Sequence, residues 1–168
     1  MNHLEQLVAE WLQYRKYFVR MSVLVGPRER GGFEGELDVV GFNPISRHFV
    51  HVECSLDALA WQKRETKFRI KFERGKRFCP ELFRGLPTPT HLDQTAVIQV
   101  PNVNRREIGE GRLITVRELI HEIYVGLEGT NPLKGAVPSN LPLLRTLQLA
   151  ADAGEVKVGA HRLIPEMI

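Results

Sequence analysis

The amino-acid sequence predicts a single α/β domain, 1–168, whose sheet is covered by helices on both faces. Three observations support this fold class. The 168 residues, 43% of them hydrophobic, are enough for one domain with a substantial core. The elements expected in a core of about residues 3–100 follow the order α-β-β-β-α-β, ahead of a C-terminal extension at about 101–168. The strands expected at 36–42 and 48–54 keep apolar residues on both faces, as a doubly covered sheet requires.

The first half of the chain is predicted as a helix followed by three strands. Residues 3–16 have apolar side chains at the spacing of an amphipathic helix. The β-branched and aromatic residues of 17–25 predict the first strand. Pro44 suits a turn, so 36–42 and 48–54 are predicted as an antiparallel hairpin.

The second half is predicted to alternate between helices and short strands. Helix 57–77 follows the hairpin, and 95–100 is expected to be a buried strand. A brief strand running into a helix is predicted over 113–129, and a final helix over 141–152. The tail, 155–164, is a further strand candidate. We therefore expect helical additions after a core with a mixed sheet.

Composition and targeting signals exclude several classes of protein. No apolar run approaches the length that spans a bilayer. Glu5 and Glu10 interrupt the apolar pattern of the N-terminus, which argues against a signal peptide. The two cysteines, Cys54 and Cys79, lack a CxxC spacing, so free thiols in a reducing compartment are expected. The sequence thus predicts a cytoplasmic protein and leaves the oligomeric state open, a homodimer included.

Carboxylates are concentrated in the predicted hairpin. Glu36 and Asp38 are expected on one face of their strand, and Glu53 on the partner strand is expected to converge with Asp38 at the hairpin's end. Two close carboxylates repel unless a cation lies between them. Oxygen ligands favour a hard cation, so Mg²⁺ or Mn²⁺ is the predicted cofactor. Such an ion can polarise a phosphodiester and activate water.

A basic segment follows the hairpin, although the net charge of the chain is only +3. Segment 62–77 contains eight basic and two acidic residues. This pattern is typical of a phosphate-binding surface, and a solvated helix face is the alternative. The residues assigned to nucleic-acid binding are Arg64, Lys67, Lys71 and Arg74.

The order of elements, together with 36-ELDVVGF-42 and 50-VHVECS-55, resembles the PD-(D/E)xK nuclease superfamily, which has the restriction-endonuclease-like fold. The resemblance implies that Asp38 and Glu53 bind a metal and that the chain hydrolyses phosphodiester bonds of nucleic acid, most simply DNA. It also matches Glu5 to an acidic residue that several branches carry on the first helix.

The chain departs from this family at the motif lysine, because Ser55 stands two residues after Glu53. Some members resemble it in placing that lysine on the following helix, so Lys63 is predicted as the moved catalytic lysine. Gln62 is an auxiliary candidate, because some exonuclease branches use a glutamine there to orient the substrate. Glu36 or Glu34 is the auxiliary acid. His51 shares the face of Glu53 and is either a buried core histidine or a partner of that carboxylate.

Three functions are therefore considered. A metal-dependent endo- or exonuclease acting on DNA is favoured, since both acids are present. A catalytically inactive nuclease-fold module that binds nucleic acid without cutting it is the first alternative, because Ser55 replaces the lysine. A protein-interaction domain whose basic helix meets an acidic partner is the second.

Overall fold

The computed structural model describes residues 2–86, 91–100 and 104–154. Over these residues the chain forms one mixed sheet of six strands flanked by four helices. The elements, in chain order, are α1 (His3–Tyr14), β1 (Phe18–Pro27), β2 (Phe33–Asn43), β3 (His48–Ser55), α2 (Trp61–Leu82), β4 (Asp93–Ile98), β5 (Glu107–Ile108), β6 (Gly111–Thr115), α3 (Val116–Leu127) and α4 (Pro142–Asp152).

The strands lie in the order β1-β2-β3-β4-β6-β5. β1, β2 and β3 pair antiparallel, whereas β4 is parallel to β3 and to β6. A parallel neighbour requires a crossover connection, and α2 lies within the connection from β3 to β4. The end of β3, the adjacent part of β2 and the middle of α2 are thereby brought together.

The predicted α/β class and the order α-β-β-β-α-β are found in the structure. Helix α2 is shifted relative to the predicted 57–77, because it begins at Trp61 and continues past Pro80 to Leu82. The C-terminal extension is not only helical: β6 pairs with β4, and the two-residue strand β5 was not predicted. The strand candidate 155–164 lies outside the described residues.

The core is divided between the two faces of the sheet. Helices α1, α3 and α4 cover one face through a cluster that includes Trp11, Val52 and Ile123. Helix α2 covers the other face through Phe68 and Phe72. Among the helices described, none combines the length and apolar character needed to cross a membrane.

The hairpin of β1 and β2 changes faces partway along its length. Leu37 packs on the α2 side of the sheet and Val39 packs on the α1 side, although regular alternation predicted one face for both. β1 makes the same change at Ser22, whose φ of 48° is uncommon for a residue other than glycine. The register of the two strands places Ser22 beside Asp38. The interruption therefore lies next to the residue expected to be a metal ligand.

Candidate functional site

Asp38 and Glu53, called the carboxylate pair below, lie opposite each other on β2 and β3. The last pair of the ladder at this end is Val39 with Val52, and Asp38 and Glu53 are the next residue on each strand. The side chain of Asp38 is 8% exposed and that of Glu53 is fully buried. Asp38 Oδ2 accepts a hydrogen bond of 2.8 Å from the backbone N–H of Cys54. The predicted convergence of the two carboxylates is therefore found, and the site is more buried than a strand end in solvent would be.

A cation also lies at the carboxylate pair, and it belongs to Lys71. Its Nζ is 3.0 Å from Asp38 Oδ1 and 3.1 Å from Asp38 Oδ2, and it also contacts Glu53 Oε2. The Lys71 side chain is only 21% exposed, because α2 packs directly over this part of the sheet. One ammonium thus bridges both buried acids.

The two acids differ in proton affinity because their partners differ. Burial, followed by the charge of Glu53, raises the pKa of Asp38 to about 7, despite the opposing effect of Lys71. Burial also acts to raise the pKa of Glu53, but the hydrogen bond from His51 and the charge of Lys71 outweigh it and hold that pKa at about 2. Glu53 is therefore the ionised member of the pair, and Asp38 is the member that takes up a proton near neutral pH.

Behind Glu53, two further polar side chains are buried. His51 Nε2 lies 2.9 Å from Glu53 Oε1. The amide nitrogen of Gln94, on β4, lies 3.1 Å from His51 Nδ1 and 2.8 Å from the carbonyl oxygen of Phe72. His51 was considered as a partner of the carboxylate, and the structure shows this contact.

The lysine at the site differs from the one predicted. Lys63 is exposed on the first turn of α2, and the described contacts of the carboxylate pair include Lys71 and not Lys63. Gln62 is exposed beside Lys63. Ser55 is 4% exposed at the end of β3, so the position of the usual motif lysine is buried.

Two of the three predicted auxiliary acids, Glu5 and Glu34, have contacts with residues other than the carboxylate pair. Glu5 is buried and forms a capping box with Asn2 at the start of α1, where its Oε2 accepts a 3.0 Å hydrogen bond from the Asn2 backbone N–H. Glu34 pairs with Arg77 at 3.0 Å. Glu36 is half-buried and, within the described residues, makes no ion pair with the site. The structure therefore assigns a clear contact only to the first two.

The four basic residues of α2 that were predicted to bind nucleic acid contact other parts of the protein. Arg64 is 4% exposed and its guanidinium donates to the carbonyl of Asp57 at 2.7 Å. Lys67 pairs with the same residue at 2.6 Å. Arg74 lies against Gly35, where a Cβ would come within 2.2 Å of its guanidinium carbon. Arg64 and Lys67 thus have Asp57 as a partner, and Lys71 is held by the carboxylate pair. The basic residues of α2 that face solvent are Lys63, Arg69, Lys76 and Arg77.

The donor set fits a small hard cation. In residues 2–86, 91–100 and 104–154, no group of three or more His, Cys, Asp or Glu side chains is arranged to hold a metal. Mg²⁺, however, is often bound by one or two carboxylates, with water and substrate phosphates completing the shell. The carboxylate pair supplies two such oxygens around a point where the structure already holds one positive charge. Asp38 and Glu53 could therefore hold Mg²⁺ or Mn²⁺.

Two members of this site, Lys71 and Gln94, were missed in these roles by sequence reasoning. The spacing of seven residues puts Lys71 on the same side of α2 as Arg64, but only the structure shows that this side is buried. No signal existed for Gln94, because its place beside His51 depends on the register of β4 against β3.

A search of protein-family models, curated proteins and solved structures finds no match for this chain. Function is therefore inferred from the site.

Proposed function

We propose that this chain is a metal-dependent nuclease that hydrolyses phosphodiester bonds in DNA. In this proposal Asp38 and Glu53 hold Mg²⁺ or Mn²⁺, and Lys71 is the lysine of the site. The supporting observation is that Lys71, on the helix after the motif strand, contacts both carboxylates. The positive charge that Ser55 cannot supply is available from α2. The chain would thus resemble those members of the PD-(D/E)xK superfamily, with its restriction-endonuclease-like fold, that carry the catalytic lysine on the helix after the motif strand.

The charge of each residue in the site would determine its role in hydrolysis. A bound Mg²⁺ or Mn²⁺ would supply polarisation of the phosphodiester and activation of water. Glu53, ionised across the neutral range, is the constant ligand, whereas Asp38 must lose its proton to bind a cation well. The ammonium of Lys71, on a flexible stem and partly exposed, can turn from the carboxylates to the phosphate and stabilise the negative charge that develops there.

One observation favours the inactive nucleic-acid-binding module as the second candidate. Lys71 already bridges the carboxylate pair, so the buried charges have a partner without any metal. A structural ion pair of this kind would keep the fold while cleavage is lost. The two candidates differ in whether a divalent cation replaces Lys71 between the carboxylates.

The deciding experiment combines cleavage assays with metal titrations. Wild-type protein is incubated with single-stranded, duplex and branched DNA, and with RNA, in the presence of Mg²⁺ or Mn²⁺. We expect Lys71→Met to reduce cleavage of DNA by about 10²-fold or more, the effect of losing a group that stabilises transition-state charge. Lys63→Met is the matched control on the same helix and should cleave saturating DNA like the wild type, because Lys63 is exposed away from the carboxylate pair.

Calorimetric titration of Mn²⁺ tests the metal site separately. Lys71→Met should bind Mn²⁺ at least as tightly as the wild type, because a competing cation is removed. Asp38→Ala should bind it weakly. A wild type that is inert on every substrate with both metals, and that binds Mn²⁺ no better than Asp38→Ala, would overturn the nuclease proposal and leave the inactive module.

A further inference from the structure

A buried chain of hydrogen bonds ends on Glu53. It runs from the Phe72 carbonyl to the Gln94 amide at 2.8 Å, from that amide to His51 Nδ1 at 3.1 Å, and from His51 Nε2 to Glu53 Oε1 at 2.9 Å. His51 and Glu53 are fully buried and Gln94 is 8% exposed. These contacts engage Glu53 Oε1, whereas Lys71 contacts Glu53 Oε2.

The direction of each hydrogen bond in this chain is fixed by chemistry. The Phe72 carbonyl can only accept, so the amide of Gln94 must present its nitrogen to it. That nitrogen is purely a donor, and therefore His51 Nδ1 must accept and carry no proton. The proton of the neutral imidazole then resides on Nε2, from which it is donated to Glu53 Oε1.

The imidazole has no room to swing away from this position. Helix α2 approaches it so closely that a Cβ on Gly75 would lie 2.2 Å from His51 Nδ1. The ring of Phe72 packs edge-on against the imidazole with a centroid separation of 5.8 Å. Glu53 Oε1 is thus held by His51, and Oε2, which contacts Lys71, is the oxygen that faces the site.

We propose that His51 and Gln94 are positioning residues that restrict Glu53 to ligation through Oε2 alone and thereby favour Mg²⁺ or Mn²⁺ over Ca²⁺. The inference rests on the proposed metal site. Mg²⁺ takes one oxygen from each ligand in a strict octahedron, whereas Ca²⁺ takes six to eight oxygens and often binds a carboxylate through both. A glutamate with one oxygen already engaged suits the smaller ions. Freeing Oε1 would let Glu53 supply a second oxygen to Ca²⁺.

Titrations of Mg²⁺, Mn²⁺ and Ca²⁺ into metal-free protein test this proposal. We expect wild-type protein to prefer Mn²⁺ and Mg²⁺. In His51→Leu the affinity ratio should shift toward Ca²⁺ by about tenfold, the effect typical of losing an outer partner of a metal ligand. His48→Leu is the control, because His48 lies on the same strand but contacts Tyr17 and Asp93. Gln94→Met, which removes the donor to His51, should shift the ratio in the same direction.

The tautomer of His51 is measured independently, by nitrogen-15 NMR of the metal-free protein. The proton is expected on Nε2 in the wild type, with a mixture of tautomers in Gln94→Met. A proton on Nδ1 in the wild type would overturn the positioning role. So would an unchanged Mg²⁺-to-Ca²⁺ affinity ratio in His51→Leu and Gln94→Met, provided that both variants still bind metal. Either result would leave the metal site itself intact. A wild type that binds none of the three ions would overturn the metal site itself.

Discussion

Helix α2 takes part in two charged clusters with opposite balance. Near its start, Arg64 and Lys67 contact one acid, Asp57, which precedes the helix. One turn after Lys67, the single ammonium of Lys71 contacts both acids of the carboxylate pair. The first cluster has more cations than anions, and the second has more anions than cations.

The proton affinities of the acids follow this balance. Burial acts to raise the pKa of Asp57, but the hydrogen bond from Lys67 outweighs it and holds that pKa well below its usual range. At Asp38, burial and a neighbouring carboxylate raise the pKa to about 7. The Asp57 cluster is complete as it stands, and its role is to fix the start of α2. The carboxylate pair is short of positive charge, and that shortage is what makes it a candidate for a divalent cation.

The largest expected difference between the two clusters is in stability. Lys71→Met leaves two buried carboxylates without their cation and should lower the free energy of unfolding of the metal-free protein by about 3–5 kcal/mol. Lys67→Met acts on a pair exposed to solvent and should cost no more than about 1 kcal/mol. Urea denaturation at pH 7 measures both.

Added Mn²⁺ gives this comparison a control. If the carboxylate pair binds a divalent ion, saturating Mn²⁺ should restore much of the stability of Lys71→Met, since ligand binding stabilises the folded state. It should leave Lys67→Met close to the wild type. Equal losses in the two variants would mean that the balance of charge does not distinguish the clusters.

The next effect is in the pH dependence of stability without metal. The pKa of Asp38 rises from 3.8 to about 7 on folding, so the folded state binds this proton more tightly than the unfolded state. Stability must therefore fall as the pH rises from about 4 to 7, by roughly 2–4 kcal/mol from this group. Asp57 has the opposite sign: its lowered pKa contributes stability above its unfolded value of 3.8 that is lost on acidification.

Unfolding curves of wild type and Asp38→Asn between about pH 5.5 and 8 measure this difference. The window lies above the unfolded pKa of Glu53, 4.5, so that carboxylate is almost fully charged in both states. Asp38→Asn should flatten the downward slope. An unchanged slope would show that Asp38 is ionised throughout.

The smallest effect concerns the exposed side of α2, which neither cluster uses. Lys63 and Arg69 face solvent there. In the double variant Lys63→Gln, Arg69→Gln, the affinity for duplex DNA should weaken a few-fold on all sequences. The slope of log affinity against log salt concentration should decrease by about one phosphate contact per residue replaced. Lys76→Gln is the control, because Lys76 is paired with Glu110 at 2.9 Å. Binding insensitive to salt would mean that this side does not contact DNA.

The arrangement of the strands was predictable because its signals are local. Two apolar runs on either side of Pro44 mark the hairpin, and the convergence of Asp38 and Glu53 follows from a side-chain period of two. The pairing of β6 with β4 was harder to predict from the sequence, because parallel pairing joins two separate segments that share no local sequence signal. The two-residue strand β5 is defined by its pairing with β6, so its own sequence does not indicate a strand.

The phase of α2 explains why Lys71, and not Lys63, contacts the carboxylates. Leu59 and Ile70 lie at helical spacing from Lys63, but they are 38% and 49% exposed, so that side of the helix is not packed. The buried side instead follows Phe68 and Phe72, with Gly75 where the helix approaches His51. In a helix this rich in charge, two exposed aliphatic residues can imitate a packed face. Aromatic residues, with more area to bury, are the better guide to the phase.

The crossover that contains α2 also sets the order in which the molecule can fold. The hairpin of β2 and β3 is local and could close early, but closing it brings two carboxylates together before any cation has arrived. At neutral pH their repulsion opposes that step. Docking of α2, which delivers Lys71, removes the repulsion and at the same time fixes the chain for β4 to pair. Hairpin closure and helix docking should therefore be coupled in the folding transition state, with the site itself forming part of the nucleus.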